Sequence, residues 1–359
     1  MLLEAFFTPV NSAIVKAFVK QKNCLGAAIQ INAQKFPSLK SVDIALIGLG
    51  ENANALRKEL YALSPAFDSI NIVDLGTLNH NGKNVQAALR ECLLALFELG
   101  IKPIIIGENH RYAEALLKSL PYQKADLAIV SPRIAYNEDD LAFLMAKKKR
   151  LFHVSFIANQ TFLNPQDLVQ NSQEVFSEAL RLGAVKQSIQ AVEPLLRQAD
   201  VFEFDLSAIK YSEFRSATEA LPNGLDNQEA CAICRYAGIS NGIEVFLFNQ
   251  MDLSKKDATD AKQLAQMVWY CLDGLNNRFN DVPQINNRNF TVYKCHANSG
   301  EDMLFLYSEV SGRWWLQIPQ VEGKKKTAAK FIGCTENDHQ IAEQGEVPEK
   351  YYRALFNSL

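Results

Sequence analysis

Four short stretches place polar and charged residues directly after apolar runs. They are Gly48-Leu49-Gly50-Glu51-Asn52-Ala53, Gly107-Glu108-Asn109-His110, Val130-Ser131-Pro132-Arg133 and Asp205-Leu206-Ser207. The first fits G-x-G-x-x-A, and Asp74 follows 24 residues beyond Gly50. That is the layout with which a dinucleotide-binding turn lets a pyrophosphate approach a helix N-terminus. The same pattern also arises in any tight strand-to-helix turn, which is the reading favoured here. Cys231-Ala232-Ile233-Cys234 has C-x-x-C spacing but no second pair to complete a four-ligand zinc site, so two small apolar residues one helical turn apart account for it. Of the five histidines, His110 alone closes an expected parallel strand; His153 falls inside one, where packing explains it. Neither a G-x-S-x-G elbow nor an H-E-x-x-H pair occurs, so no motif supports a nucleophile triad or a metalloprotease site.

The elements that must hold these residues are legible. Short, nearly continuous apolar runs at 43–50, 69–76, 103–107, 126–131, 151–156, 201–206 and 244–249 read as buried parallel strands. Between them, 84–99 carries Val85, Leu89, Leu93, Leu96 and Phe97 near a 3.6 period, with Gly100 as its stop. A second helical pattern spans 259–275. Such alternation predicts a three-layer α-β-α fold with a doubly wound, mostly parallel sheet. Ligands then bind at the carboxyl ends of the strands, where the four stretches lie. From 287 the pattern changes to short strands at 290–295, 303–308 and 313–319, with a turn at Ser311-Gly312. We therefore divide the chain into an α/β domain over 1–286 and an extension over 287–359, strands plus a terminal helix packed on the same domain as an antiparallel edge or a small appendage. Trp314 and Trp315 should face opposite sides of a strand, one in the core and one covering an edge.

Composition narrows the function classes. A hydrophobic content of 48% over 359 residues is ample for a large core. A net charge of −3 leaves no electrostatic footprint for nucleic acid, and the runs Lys147-Lys148-Lys149-Arg150 and Lys324-Lys325-Lys326 read as solvated surface. No run reaches the length of a membrane span, and the apolar start of the chain contains Glu4 and lacks a basic leader segment. Seven scattered cysteines fit a reducing cytoplasm rather than a disulfide framework.

Pro103-Ile104-Ile105-Ile106-Gly107-Glu108-Asn109-His110 resembles the G-G-D-H strand end of arginases, agmatinases and formimidoylglutamases, the ureohydrolase family. Phe204-Asp205-Leu206-Ser207 resembles the family's S-F-D-x-D strand end. Arg181-Leu182-Gly183, Pro222-Asn223-Gly224, Glu229-Ala230-Cys231, Arg235-Tyr236-Ala237-Gly238, Gly312-Arg313-Trp314-Trp315 and Val347-Pro348-Glu349-Lys350-Tyr351-Tyr352 are similar to a formimidoylglutamase-like branch. The resemblance runs from about residue 43 to the end. It implies an arginase-type fold and, in active members, two manganese ions whose bridging hydroxide attacks a guanidino or formimino carbon. Hard oxygen and imidazole ligands are needed there, because two close dications must be charge-compensated.

Carried over position by position, most of that ligand set is missing. His110 matches the G-G-D-H histidine, but Glu108 and Asn109 stand where Gly and Asp would. Asp205 matches the first Asp of S-F-D-x-D, and Ser207 the second. Ser131-Pro132-Arg133 occupies the D-A-H-x-D position, and Gln250 falls near the substrate-binding glutamate. Thus His110 and Asp205 are the remnant metal ligands, and Glu108, Asn109, Ser131, Arg133, Ser207 and Gln250 the pocket candidates. Arg133 would set a fixed positive charge at the old metal position, opposing a dication. The resemblance thus implies a pseudoenzyme that needs no cofactor and binds a small amino-acid-like or amidine ligand, or a partner. In that case Ala at His110 or Asp205 should cost little beyond packing. The alternatives are an active manganese hydrolase of linear amidines that draws its acids from Glu108 or Glu138-Asp139-Asp140, and a nucleotide-binding protein using Gly48 to Ala53. Family members often form trimers or hexamers, which allows a homo-oligomer.

Overall fold

The computed structural model describes residues 3–18, 20–50, 52–79, 84–107, 113–121, 125–134, 151–166, 177–254, 258–279, 281–318 and 331–358. Each of the seven apolar runs contributes a strand. With three strands that carry no such run, they form one ten-stranded sheet: β1 (Phe7–Thr8), β2 (Gln30–Ile31), β3 (Ile44–Gly48), β4 (Ile72–Leu78), β5 (Lys102–Ile106), β6 (Ala125–Val130), β7 (Leu151–Asn159), β8 (Ser177–Arg181), β9 (Val201–Asp205) and β10 (Val245–Asn249). The order is β1-β4-β3-β5-β10-β9-β6-β7-β8, with β2 also on β4. Every pairing is parallel except that of β1 with β4.

Helices cover both faces, as strands buried on two sides require. On one face, Phe202, Phe204, Phe246 and Phe248 pack with residues of α1 (Asn52–Leu60), α5 (Asn227–Ile239) and α6 (Ala258–Asn276). On the other, Val201, Val245, Leu247 and Ile105 pack with α2 (Val85–Glu98) and α3 (Ala113–Ser119). The α2 boundaries follow their local chemistry. Asn84 caps its start by accepting from the Gln86 N–H, and Gly100 beyond its end has φ +72°, a left-handed value that side chains disfavour. Among the described residues, no helix is long and apolar enough to cross a membrane.

The C-terminal segment forms a sheet of its own, and among the described residues none of its strands pairs with the ten-stranded sheet. Strands β11 (Phe290–His296), β12 (Asp302–Ser308), β13 (Trp314–Gln317) and β14 (Phe331–Cys334) pair antiparallel in sequence order. Phe305, Leu316 and Ile332 on one face pack with Ala342 of α7 (Glu336–Glu343) and Tyr351 of α8 (Glu349–Ser358). On the other, Trp315 packs with Phe290 and Leu306 and carries the Arg197 guanidinium 4.6 Å above its ring. Arg197 belongs to α4 (Glu193–Gln198), so the small sheet docks on the α/β layer through this helix. Trp314 and Trp315 do face opposite sides, but Trp314 does not cover an edge. It stacks on His339 at 4.4 Å, with Tyr293 and Tyr307 about it.

Candidate functional site

The order β5-β10-β9-β6 brings three of the four sequence stretches to neighbouring strand ends. Phe248 pairs with Ile106, Asn249 with Asp205, and Phe204 with Val130. Val130 and Asp205 therefore end adjacent strands, while β10 separates β9 from β5. Glu108, Asn109 and His110 follow β5 but lie outside the described residues, as do Glu138, Asp139 and Asp140.

Asp205 is 2% exposed, and both its carboxylate oxygens accept hydrogen bonds. Ser131 Oγ donates to Oδ2 at 2.8 Å, and the Ser207 N–H donates to Oδ1 at 2.8 Å. The second bond is local, since Asp205 caps the short 3-10 turn Leu206–Ala208. The first spans neighbouring strands and ties β9 to β6. Donors of this kind replace part of the hydration that a buried carboxylate loses. Removing it would strand both donors, so the cost of Asp205→Ala exceeds the small one read from sequence.

The other pocket candidates extend this lattice. The Ser207 hydroxyl lies 3.4 Å from Thr218 Oγ1, which donates to Gln250 Oε1 at 3.0 Å. Ser207 Oγ also accepts from the Glu219 N–H at 3.3 Å. Arg133 grips Glu219 with Nε, at 2.9 Å, and with Nη2, while Nη1 reaches the Leu163 carbonyl at 2.7 Å. Its positive charge is thus matched by a carboxylate rather than standing alone. Asn164 joins Pro132, Ile134 and Gln160, and Gln160 donates to the Asn223 carbonyl. The segments 131–134, 160–164 and 218–223 are thereby cross-linked over the ends of β6, β7 and β9.

Two strand ends carry non-glycine residues in the left-handed region: Ala158 at φ +65° and Gln250 at φ +60°. Such backbones cost roughly 1–2 kcal/mol each and persist where surroundings enforce them. Next to them sit buried amides with an unused atom. Asn249 donates to Glu203 Oε1 at 2.6 Å but leaves Oδ1 without a partner among the described residues; Asn159 Nδ2 and Gln160 Oε1 are likewise unused. These residues escaped the sequence reading, although Asn249 and Asn159 each close a buried strand with a polar side chain. Glu219 had no local signal at all.

The described residues do not fit a binuclear manganese centre. Among them no cluster of three His, Cys, Asp or Glu side chains could hold a metal ion. The two decoy motifs have structural roles. Asp74 takes Arg57 Nε at 2.9 Å and Nη2 at 3.0 Å, Tyr61 Oη at 2.7 Å and the Gly76 N–H at 2.8 Å, so it is not presented to a ribose. Burial works to lower the Arg57 pKa, but Asp74 and Tyr61 outweigh it and hold the guanidinium above its ordinary value. A Cβ on Gly48 would meet that of Ala53 at 2.5 Å, so this glycine serves strand–helix packing. Cys231 and Cys234 lie buried in α5 with reduced thiols; burial pushes the first up to about 12 and the second well above its usual range. His153, inside β7, is half-buried beside Ser155.

Neither a family model nor a curated protein sequence matches the chain. Solved structures do. A formiminoglutamase from Trypanosoma cruzi with manganese superposes with a TM-score of 0.59 at 16% identity, over 68% of this chain and 97% of that one. A formimidoylglutamase from Bacillus subtilis gives 0.59 at 12% identity, over 68% and 91%. An agmatine ureohydrolase from Thermoplasma volcanium gives 0.56 at 12% identity, over 73% and 97%. The chain therefore has the α/β fold of the arginase superfamily.

Proposed function

We propose that this chain is a formimidoylglutamase-like protein of the ureohydrolase family that has lost the binuclear manganese centre. On this reading it needs no metal and holds a small amino-acid-like or amidine ligand at the strand ends without hydrolysing it. The observation that carries the reading is the state of Asp205, whose two oxygens are taken by the Ser131 hydroxyl and the Ser207 N–H. Those two serines replace the acids that would compensate two dications, and their hydrogen bonds do the work that metal coordination would otherwise do. The unused amide atoms of Asn249, Asn159 and Gln160 favour a neutral or zwitterionic ligand, which supplies the missing hydrogen bonds without adding net charge to a crowded interior.

The test is turnover. Wild type and Asp205→Asn, each given manganese, are assayed on N-formiminoglutamate, arginine and agmatine. We expect neither to exceed the uncatalysed rate. Turnover by wild type that vanishes in Asp205→Asn contradicts the proposal. It would support the second reading, an active hydrolase with acids from Glu108 or Glu138-Asp139-Asp140, which the manganese in the similar Trypanosoma cruzi structure favours.

A further inference from the structure

A cavity of about 530 Å³ opens away from the strand ends, where α4 and α5 meet the four-stranded sheet. Its floor is a closed cluster. The Nε and Nη2 edge of the Arg197 guanidinium rests on both oxygens of Glu193, and Arg313 Nε lies 3.0 Å from the same carboxylate. Arg197 also donates to the Trp314 carbonyl, and Arg313 Nη1 reaches Asp281 at 3.3 Å. The two arginine side chains are 3% and 8% exposed, so their positions are fixed.

The wall formed by α5 is different. Arg235 is anchored through Nε alone, 2.8 Å from Asp273 Oδ2, and among the described residues its two Nη groups have no protein partner. The hydroxyl of the next residue, Tyr236, likewise has none. Phe279 adds an apolar surface beside them. Glu336, exposed at the start of α7, is the acid on the facing wall.

We propose that this cavity binds a small organic monoacid with a planar or apolar body. Its carboxylate sits on the Nη groups of Arg235 and the hydroxyl of Tyr236, and its body lies against Phe279. A guanidinium fork matches a carboxylate in two parallel hydrogen bonds, and a phenol adds a third donor. Arg197 and Arg313 are matched by Glu193 and Asp281, and Arg235 is paired on one side with Asp273, so the carboxylate is held by directed hydrogen bonds rather than by net charge, and Glu336 disfavours a dianion. The volume lies within the ordinary range for small-molecule sites. The cavity is lined from both sides, by α5 of the α/β layer and by β13 and α7 of the C-terminal unit.

The probe is indole-3-acetate, titrated calorimetrically into the full chain at physiological ionic strength, with inorganic phosphate as comparator. One saturable site per chain is expected, weakened about tenfold by Arg235→Gln, the equivalent of about 1.4 kcal/mol for one lost charge-assisted pair. Tyr236→Phe should weaken it less, and Lys186→Gln, which removes an exposed charge elsewhere, not at all. Arg235 is 42% exposed, so its replacement leaves the fold intact. Unchanged affinity in Arg235→Gln, phosphate binding as tight as the acid, or no saturation at millimolar probe each overturns the proposal.

Discussion

The strand-end floor and the junction at α4 both bury charged and polar groups at an edge of the core, and they have settled differently. At the strand ends, Asp205, Ser131, Ser207, Thr218, Gln250, Arg133 and Glu219 satisfy one another across three segments far apart in sequence. At the junction the inner arginines are equally satisfied, but Arg235 and Tyr236 on the wall are not. The contrast teaches how to read polar residues at the ends of buried strands. A carboxylate at a strand end can serve as a structural cross-link as well as a ligand, and at Asp205 the hydrogen bonds of Ser131 and Ser207 provide the cross-link.

The largest effect expected is at the junction. Arg197→Ala removes a buried guanidinium held by Glu193, the Trp314 carbonyl and the Trp315 ring, and should cost about 3–5 kcal/mol in denaturant unfolding. Hydrogen exchange should show the loss concentrated in β13 and β14. A cost below about 1 kcal/mol, the range of an exposed pair, would mean that the cluster does not dock the small sheet. Next is Asp205→Ala, which strands the Ser131 hydroxyl and the Ser207 N–H in the core. We expect about 2–3 kcal/mol from the same measurement. A neutral or stabilising outcome would break the comparison, because relief of strain is what an unoccupied metal ligand gives.

The smallest effect at neutral pH belongs to the thiols. Burial raises Cys92, Cys231 and Cys334 from an ordinary value of 9.0 to about 12. The folded state then holds protons that the unfolded chain releases, so their contribution is complete below pH 9.0 and is lost as pH rises toward about 12. In a thiol-reactivity assay at mildly alkaline pH, Cys295, which is only half-buried, should react first. Fast reaction of Cys231 would instead mark α5 as locally open.

Most of the sheet was legible because a strand buried on both faces must be apolar throughout, and seven such runs stand out. The missed strands have no such run. β1 and β2 are two residues each, and Ser-Glu-Ala-Leu-Arg of β8 lies at the sheet edge. Whether the C-terminal strands extend the main sheet or form their own was left open, since pairing partners are not written in the alternation of a single strand. The site was half legible. Asp205, Ser131 and Ser207 were marked by their places after apolar runs. Their mutual bonds were not, because Ser131 and Asp205 are 74 residues apart. The Arg133–Glu219 pair spans 86 residues, so sequence could assign Arg133 a charge but not the partner that balances it.

The central claim is that the strand ends no longer hold two manganese ions, and metal content tests it most directly. The purified protein is incubated with manganese, freed of unbound ion and analysed elementally. The account predicts well below one equivalent per chain, with the same result for Asp205→Asn. Two equivalents in the wild type, lost in Asp205→Asn, would contradict it and restore Asp205 as a metal ligand.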